Sequence, residues 1–74
     1  MNLSDLKKGE KAKVSGYAPG NAAYRAKLLA LGITRGVHVT LVNQAPLGDP
    51  IEIEVRGFHL SLRRVEAAVV EVAK

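Results

Sequence analysis

"IEIEVRGFHLSL", residues 51 to 62, decides the fold. Ile51, Ile53 and Val55 alternate with Glu52 and Glu54, and Phe58, Leu60 and Leu62 alternate with His59 and Ser61. Because a strand turns successive side chains to opposite faces, each half reads as a half-buried strand with its apolar set inward. Arg56-Gly57 between the halves is a tight reversal, which makes the stretch a β-hairpin. Phe58, Leu60 and Leu62 are expected on one core face.

On the amino-terminal side, "VHVTLV" from Val37 repeats the alternation, with Val37, Val39 and Leu41 on one face. "QAPLGDP", residues 44 to 50, joins it to the hairpin. Pro46 and Pro50 fix φ, Gly48 permits a left-handed turn and Asp49 can bond back to nearby backbone, so the loop is expected to be stiff. Leu47 then either tucks under the sheet as part of a sturdy connection or stands at the tip. In the second case a pre-ordered apolar group lowers the entropy cost of docking to another protein.

Further upstream, "NAAYRAKLLALGI", residues 21 to 33, places Tyr24, Leu28 and Leu31 at i, i+4 and i+7, the stripe of a helix facing a core. Asn21 can cap it, Gly32 falls where a helix ends in a left-handed residue, and Ile33 can fold back onto the last turn. Arg25 and Lys27 point away from the stripe and are available to solvent or a partner. "KAKVSGYA", residues 11 to 18, alternates as a first strand. Before it, Ser4 is expected to cap a single turn that carries Leu3 and Leu6 as a plug. After the hairpin come an irregular turn around Arg64 to Glu66 and a last strand with Val70 and Val72 inward.

Five short strands with one α-helix between the first two, in a chain too short for two sheets, predict a mainly β fold. The expectation is a small five-stranded SH3-like barrel, closing on itself, as one domain over residues 1 to 74. An OB-like barrel carries its helix after the third strand, and that order disfavours it here.

The 74 residues hold no cysteine, which excludes disulfide staples and thiolate zinc and fits a reducing compartment. No stretch approaches the roughly 20 apolar residues of a membrane span, and the amino terminus lacks a secretory signal, so the chain reads as cytoplasmic. The formal charge is +4, with bases scattered singly or in pairs. Such a surplus invites nucleic acid, an anionic membrane or an acidic protein face.

The residues that could carry chemistry are few. His38 and His59 both occupy outward strand positions, and no glycine-rich phosphate cradle occurs, so the chain is not expected to be an enzyme. His38, His59, Glu52 and Glu54 could together hold iron or zinc, or could be ordinary solvent-facing residues, with Glu52 and Glu54 drawing Arg56 or Arg63 across strands. No cofactor is expected. Of the three aromatic residues, only Tyr17 is expected to be free, too few for a base-stacking platform or a groove for proline-rich peptides. Nucleic acid is therefore not the expected partner.

"YRAKLLALGI", "APLGDPIEIEV", "LSLRRVEA" and "VVEV", in this order and spacing, resemble the ferrous iron transport protein A (FeoA) family over essentially the whole chain. The resemblance implies an SH3-like accessory protein in the bacterial cytosol. Its partner would be ferrous iron transport protein B, the membrane Fe(II) transporter with a G-protein domain, and it would reach the membrane only through that partner. The family brings no iron-ligand motif, so no metal residue is carried over. Its pattern assigns Tyr24, Arg25 and Leu28 of the helix, and Pro46, Leu47, Gly48, Asp49 and Pro50 of the loop, to the partner-facing surface. Arg25 and Lys27 would meet acidic residues of the transporter, and Arg63 and Arg64 would either share in that contact or be structural, pairing with Glu66 or Glu54. Small barrels also expose edge strands, so self-association stays open.

Overall fold

The computed structural model describes residues 1–20 and 22–74. After a 3-10 turn at Leu3–Asp5, the order of elements is β1 (Lys11–Tyr17), α1 (Ala22–Ala30), β2 (His38–Gln44), β3 (Ile51–Val55), β4 (Phe58–Leu62), α2 (Arg64–Ala67) and β5 (Val70–Ala73). The strands form one antiparallel sheet in the order β4-β3-β2-β1-β5. Register shifts between Val14 and Gly16 and between Leu41 and Asn43 mark irregularities in β1 and β2, which sharpen the local twist and bend the sheet over its own inner face. The expectation of a sheet closed on itself is corrected. Among the described residues no ladder joins β4 to β5, so the sheet is open.

The alternation read from the sequence sets the inner face. Ala12 and Val14, Val39 and Leu41, Ile51, Ile53 and Val55, Leu62, and Val70 and Val72 are all buried in one aliphatic cluster. Leu3 and Leu6 complete it from the amino-terminal turn. The cap of that turn is Asn2 rather than Ser4: the Asn2 side chain accepts from the Ser4 N–H at 3.0 Å, and the Asp5 carboxylate accepts from the Asn2 N–H at 2.9 Å. Asn and Ser are almost equally good caps, so composition does not choose between neighbours.

Arg56 and Gly57 both take positive φ, 54° and 81°, the pattern of a type I′ reversal that matches the twist of the paired strands. At Gly32 φ is +89°, the Ile33 N–H donates to the Leu28 carbonyl at 3.0 Å, and the Gly32 N–H donates to that of Leu29 at 3.0 Å. This closing motif returns the chain to the core, where Ile33 and Leu28 are both fully buried.

Two assignments to the core face are corrected. Phe58 has inward parity opposite Val55 yet is 70% exposed: it stands at the hairpin end of β4, an edge strand with no strand beyond it among the described residues, whereas Leu62 at the other end of β4 is buried in the core. Of the stripe on α1 only Leu28 is buried; Tyr24 and Leu31 remain on the surface. Asn21, read above as the cap of this helix, lies outside the described residues.

Candidate functional site

The β2–β3 connection is built to hold one side chain out. The Ala45 N–H donates to the Pro50 carbonyl at 3.0 Å and the Gly48 N–H donates to the Ala45 carbonyl at 2.7 Å, with Gly48 at φ +85°. The proline rings at Pro46 and Pro50 limit the remaining torsions. Asp49 does not bond back locally as expected: its carboxylate accepts from the Arg64 backbone N–H at 3.2 Å. The Arg64 guanidinium donates to the Gly48 carbonyl at 3.2 Å and to the Ser4 carbonyl at 3.2 Å. One arginine therefore joins the loop, the start of α2 and the amino-terminal turn. Leu47, between the fastened residues, is 96% exposed. Of the two accounts left open by the sequence, the structure places Leu47 at the tip.

The helix residues behave differently. Leu28, assigned by the resemblance to the surface, is buried in the core and cannot face a partner. Tyr24, near the start of α1, is exposed, as are Leu29 and Leu31 around its end. Arg25 lies over the ring of Tyr17 at 5.6 Å from its centroid, within cation–π range. Tyr17 is thus not the free ring expected: it packs against the core and its hydroxyl donates to the Ile33 carbonyl. Lys27 is not free either, since its ammonium donates to Glu66 on α2.

Glu66 is the one buried charged residue among the described core. Its other oxygen accepts from the Arg63 backbone N–H at 3.0 Å. The hydrogen bond from Lys27, then that from Arg63, hold its carboxyl below the usual glutamate range in spite of burial. Arg63 and Arg64 therefore act through backbone groups and carbonyls rather than by pairing side chain to side chain with Glu66 or Glu54. The four residues of α2 fasten the helix through Glu66 and the loop through Arg64.

The candidate metal ligands do not converge. His59 Nδ1 lies 3.1 Å from Glu52 and its Nε2 lies 4.0 Å from Glu54, so the two carboxylates draw the imidazole rather than Arg56 or Arg63. His38 is on β2, with β3 between it and His59, and is in register with Lys13 of β1. Among the described residues no group of three or more His, Cys, Asp or Glu is arranged to hold a metal ion. The exposed ring of Phe58 on β4 stands three strands from Lys11 and Lys13 on β1, so stacking and phosphate contacts do not share a groove. No helix among the described residues is long and apolar enough to cross a membrane.

Sequence reasoning missed the clamp by Arg64 and the exposure of Val65 beside it. The Leu62-Arg63-Arg64 step was the only trace of the clamp in the sequence, because its targets lie 16 and 60 residues away.

A family model described as the FeoA domain matches residues 1–74. A fusion of Fe(2+) transport protein A with the Fe(2+) transporter FeoB from Porphyromonas gingivalis is 36% identical over 72 residues, 97% of this chain; the chain spans only 8% of that relative's length. The NMR structure of an FeoA-like protein from Clostridium acetobutylicum superposes with a TM-score of 0.91 at 37% identity, covering 99% of this chain and 84% of the other. FeoA from Stenotrophomonas maltophilia, an SH3 domain protein crystallised with zinc, gives a TM-score of 0.85 at 32% identity, covering 99% and 89%.

Proposed function

The chain belongs to the FeoA domain family, which is linked to ferrous iron transport, and on that premise we propose that it is a small, non-catalytic cytoplasmic accessory protein of a bacterial Fe(II) uptake system. It acts by direct contact with the membrane transporter that carries a G-protein domain, ferrous iron transport protein B. The contact is made by the loop from Pro46 to Pro50, with Leu47 as its apolar anchor and Tyr24 and Arg25 as a second patch.

The observation that carries this reading is Leu47, 96% exposed on a loop whose flanking residues are pinned by backbone and arginine hydrogen bonds. A fastened apolar tip has little conformational freedom left to lose, so most of its burial in a partner pocket appears as affinity. The fusion in Porphyromonas gingivalis supports the choice of partner: joining two modules in one polypeptide keeps each at high effective concentration for the other.

The test is co-purification with the full-length ferrous iron transporter from the same cell, using wild type and Leu47→Asp. Capture by wild type and loss in the variant is the expected result. Equal capture of both would move the contact to the patch around Tyr24 and Arg25, and capture of neither would end the adaptor reading.

A further inference from the structure

The two edges of the open sheet are treated differently. Along β5, Asn2 makes a bridge to Glu71 and the Val72 N–H donates to the Met1 carbonyl at 3.0 Å, so the amino-terminal segment covers part of that edge. No strand lies beyond β4 among the described residues. Soluble proteins blunt such an edge with lysine, proline, a bulge or a covering segment. "FHLSL" has no lysine and no proline, and its register with β3 runs without a shift from Ile51↔Leu62 to Val55↔Phe58. The edge is regular, uncharged apart from His59, and flanked by an exposed phenylalanine.

The hairpin also decides which backbone groups face outward. Val55 and Phe58 close the two-residue turn, and residues that close such a turn are a hydrogen-bonded pair. By alternation Leu60 and Leu62 bond inward to β3 as well. The N–H and C=O groups of His59 and Ser61 therefore point to the free edge.

We propose that this edge is a self-association surface, on which a second copy of the chain pairs β4 with β4 antiparallel about a two-fold axis at Leu60. In that register His59 of each copy exchanges both hydrogen bonds with Ser61 of the other, so all the outward groups are satisfied at once. Phe58 comes opposite Leu62, so the exposed ring lies at the junction, beside the inner face of the second copy. On the outer face the register with β3 makes each crossing row read Glu52, Ser61, His59, Glu54, the last two from the second copy. No like charges stand opposite each other, although the chain as a whole carries +4 and otherwise repels itself. Registers centred on His59 or on Ser61 bond fewer of the outward groups, and the first sets imidazole against imidazole. Self-complementarity of this kind favours a second copy over an unrelated strand.

Sedimentation of the purified chain over a concentration series, with amide hydrogen exchange at matched concentrations, tests the proposal. Wild type is expected to form a dimer as concentration rises, with exchange slowing at His59 and Ser61. The double substitution His59→Lys with Ser61→Lys sets like charges opposite in both rows and is expected to abolish the dimer. Both side chains are exposed, and an unchanged circular dichroism spectrum verifies that the fold survives. Phe58→Ala leaves the backbone edge intact and is expected to weaken the dimer without removing it. A wild type that stays monomeric at every concentration overturns the proposal, as does a dimer that survives the two lysines. Protection of His59 and Ser61 that appears only when the transporter is added overturns it in favour of a partner strand.

Discussion

Helix α1 and the β2–β3 loop both offer apolar side chains to solvent, but they are fastened in opposite ways. The helix is docked by a single buried side chain, Leu28, helped by the ion pair from Lys27 to Glu66. The loop buries none of Pro46, Leu47 or Gly48 and is held by hydrogen bonds to its own ends and to Arg64. Hydrophobic docking fixes where an element lies and tolerates small shifts, whereas a set of directional hydrogen bonds fixes how it points. A presented anchor needs the second kind of support.

The comparison breaks hardest at Leu28. Leu28→Ala removes the side chain that seats the helix and leaves a cavity under it, so unfolding free energy should fall by about 2 to 5 kcal/mol in a urea titration. A loss below about 1 kcal/mol would mean that the helix is held chiefly by its closing motif around Gly32 and Ile33.

Glu66→Gln comes next, with an expected loss of roughly 1 to 3 kcal/mol, because a charged acceptor inside the structure is replaced while Lys27 and the Arg63 N–H stay in place. Its pH dependence gives the sharper reading. The folded carboxyl titrates below its ordinary value, so its contribution is fully present above the unfolded pKa and is lost as pH falls through the folded one. Wild type and Glu66→Gln should therefore converge in stability as the solution is acidified below the ordinary glutamate range. Parallel curves would show that Lys27 does not hold the charge.

Arg64→Ala tests the loop. It removes the bonds to Gly48 and Ser4 but keeps the backbone bond to Asp49, and at an exposed site the expected loss is about 1 kcal/mol or less. Amide exchange should quicken at Gly48 and Ala45 while the helix is unaffected, and capture by the transporter should weaken. Leu47→Asp completes the series with the smallest effect on folding, within about 0.5 kcal/mol by urea titration, since the side chain touches almost nothing. Its effect on partner capture should be the largest of the four.

Much of this architecture is legible in the sequence, because alternation is a local property. The inward sets of β2, β3 and β5, the reversal at Arg56-Gly57 and the helix stop at Gly32 all follow from spacing and glycine placement. Phe58 shows where the method ends: periodicity gives the parity of a side chain, but whether anything lies over it depends on its place in the fold, since Leu62 shares its strand and parity and is buried. The stripe on α1 fails for a related reason, since a short helix against a small sheet buries less of its apolar face than the pattern offers. The clamp by Arg64 and the bond from Lys27 to Glu66, 39 residues apart, depend on tertiary proximity that no local pattern encodes. The resemblance to FeoA singled out both the loop and Leu28 as partner-facing, and of these Leu47 is exposed while Leu28 is buried, because a motif does not by itself separate packing residues from surface ones.

The sheet order also governs the route by which the chain reaches this state. Strands β2, β3 and β4 are joined by short connections and can zip as a meander, whereas β1 meets β5 through pairs such as Lys13↔Ala73, with almost the whole chain between them. Loop-closure entropy delays contacts of such separation until much of the rest is in place. Folding is expected to nucleate in the meander, with capture of β5 as a late event. Kinetic φ-values should therefore be high for substitutions around the Arg56-Gly57 hairpin and low at Val72. The reverse ranking would put the ends of the chain in the nucleus.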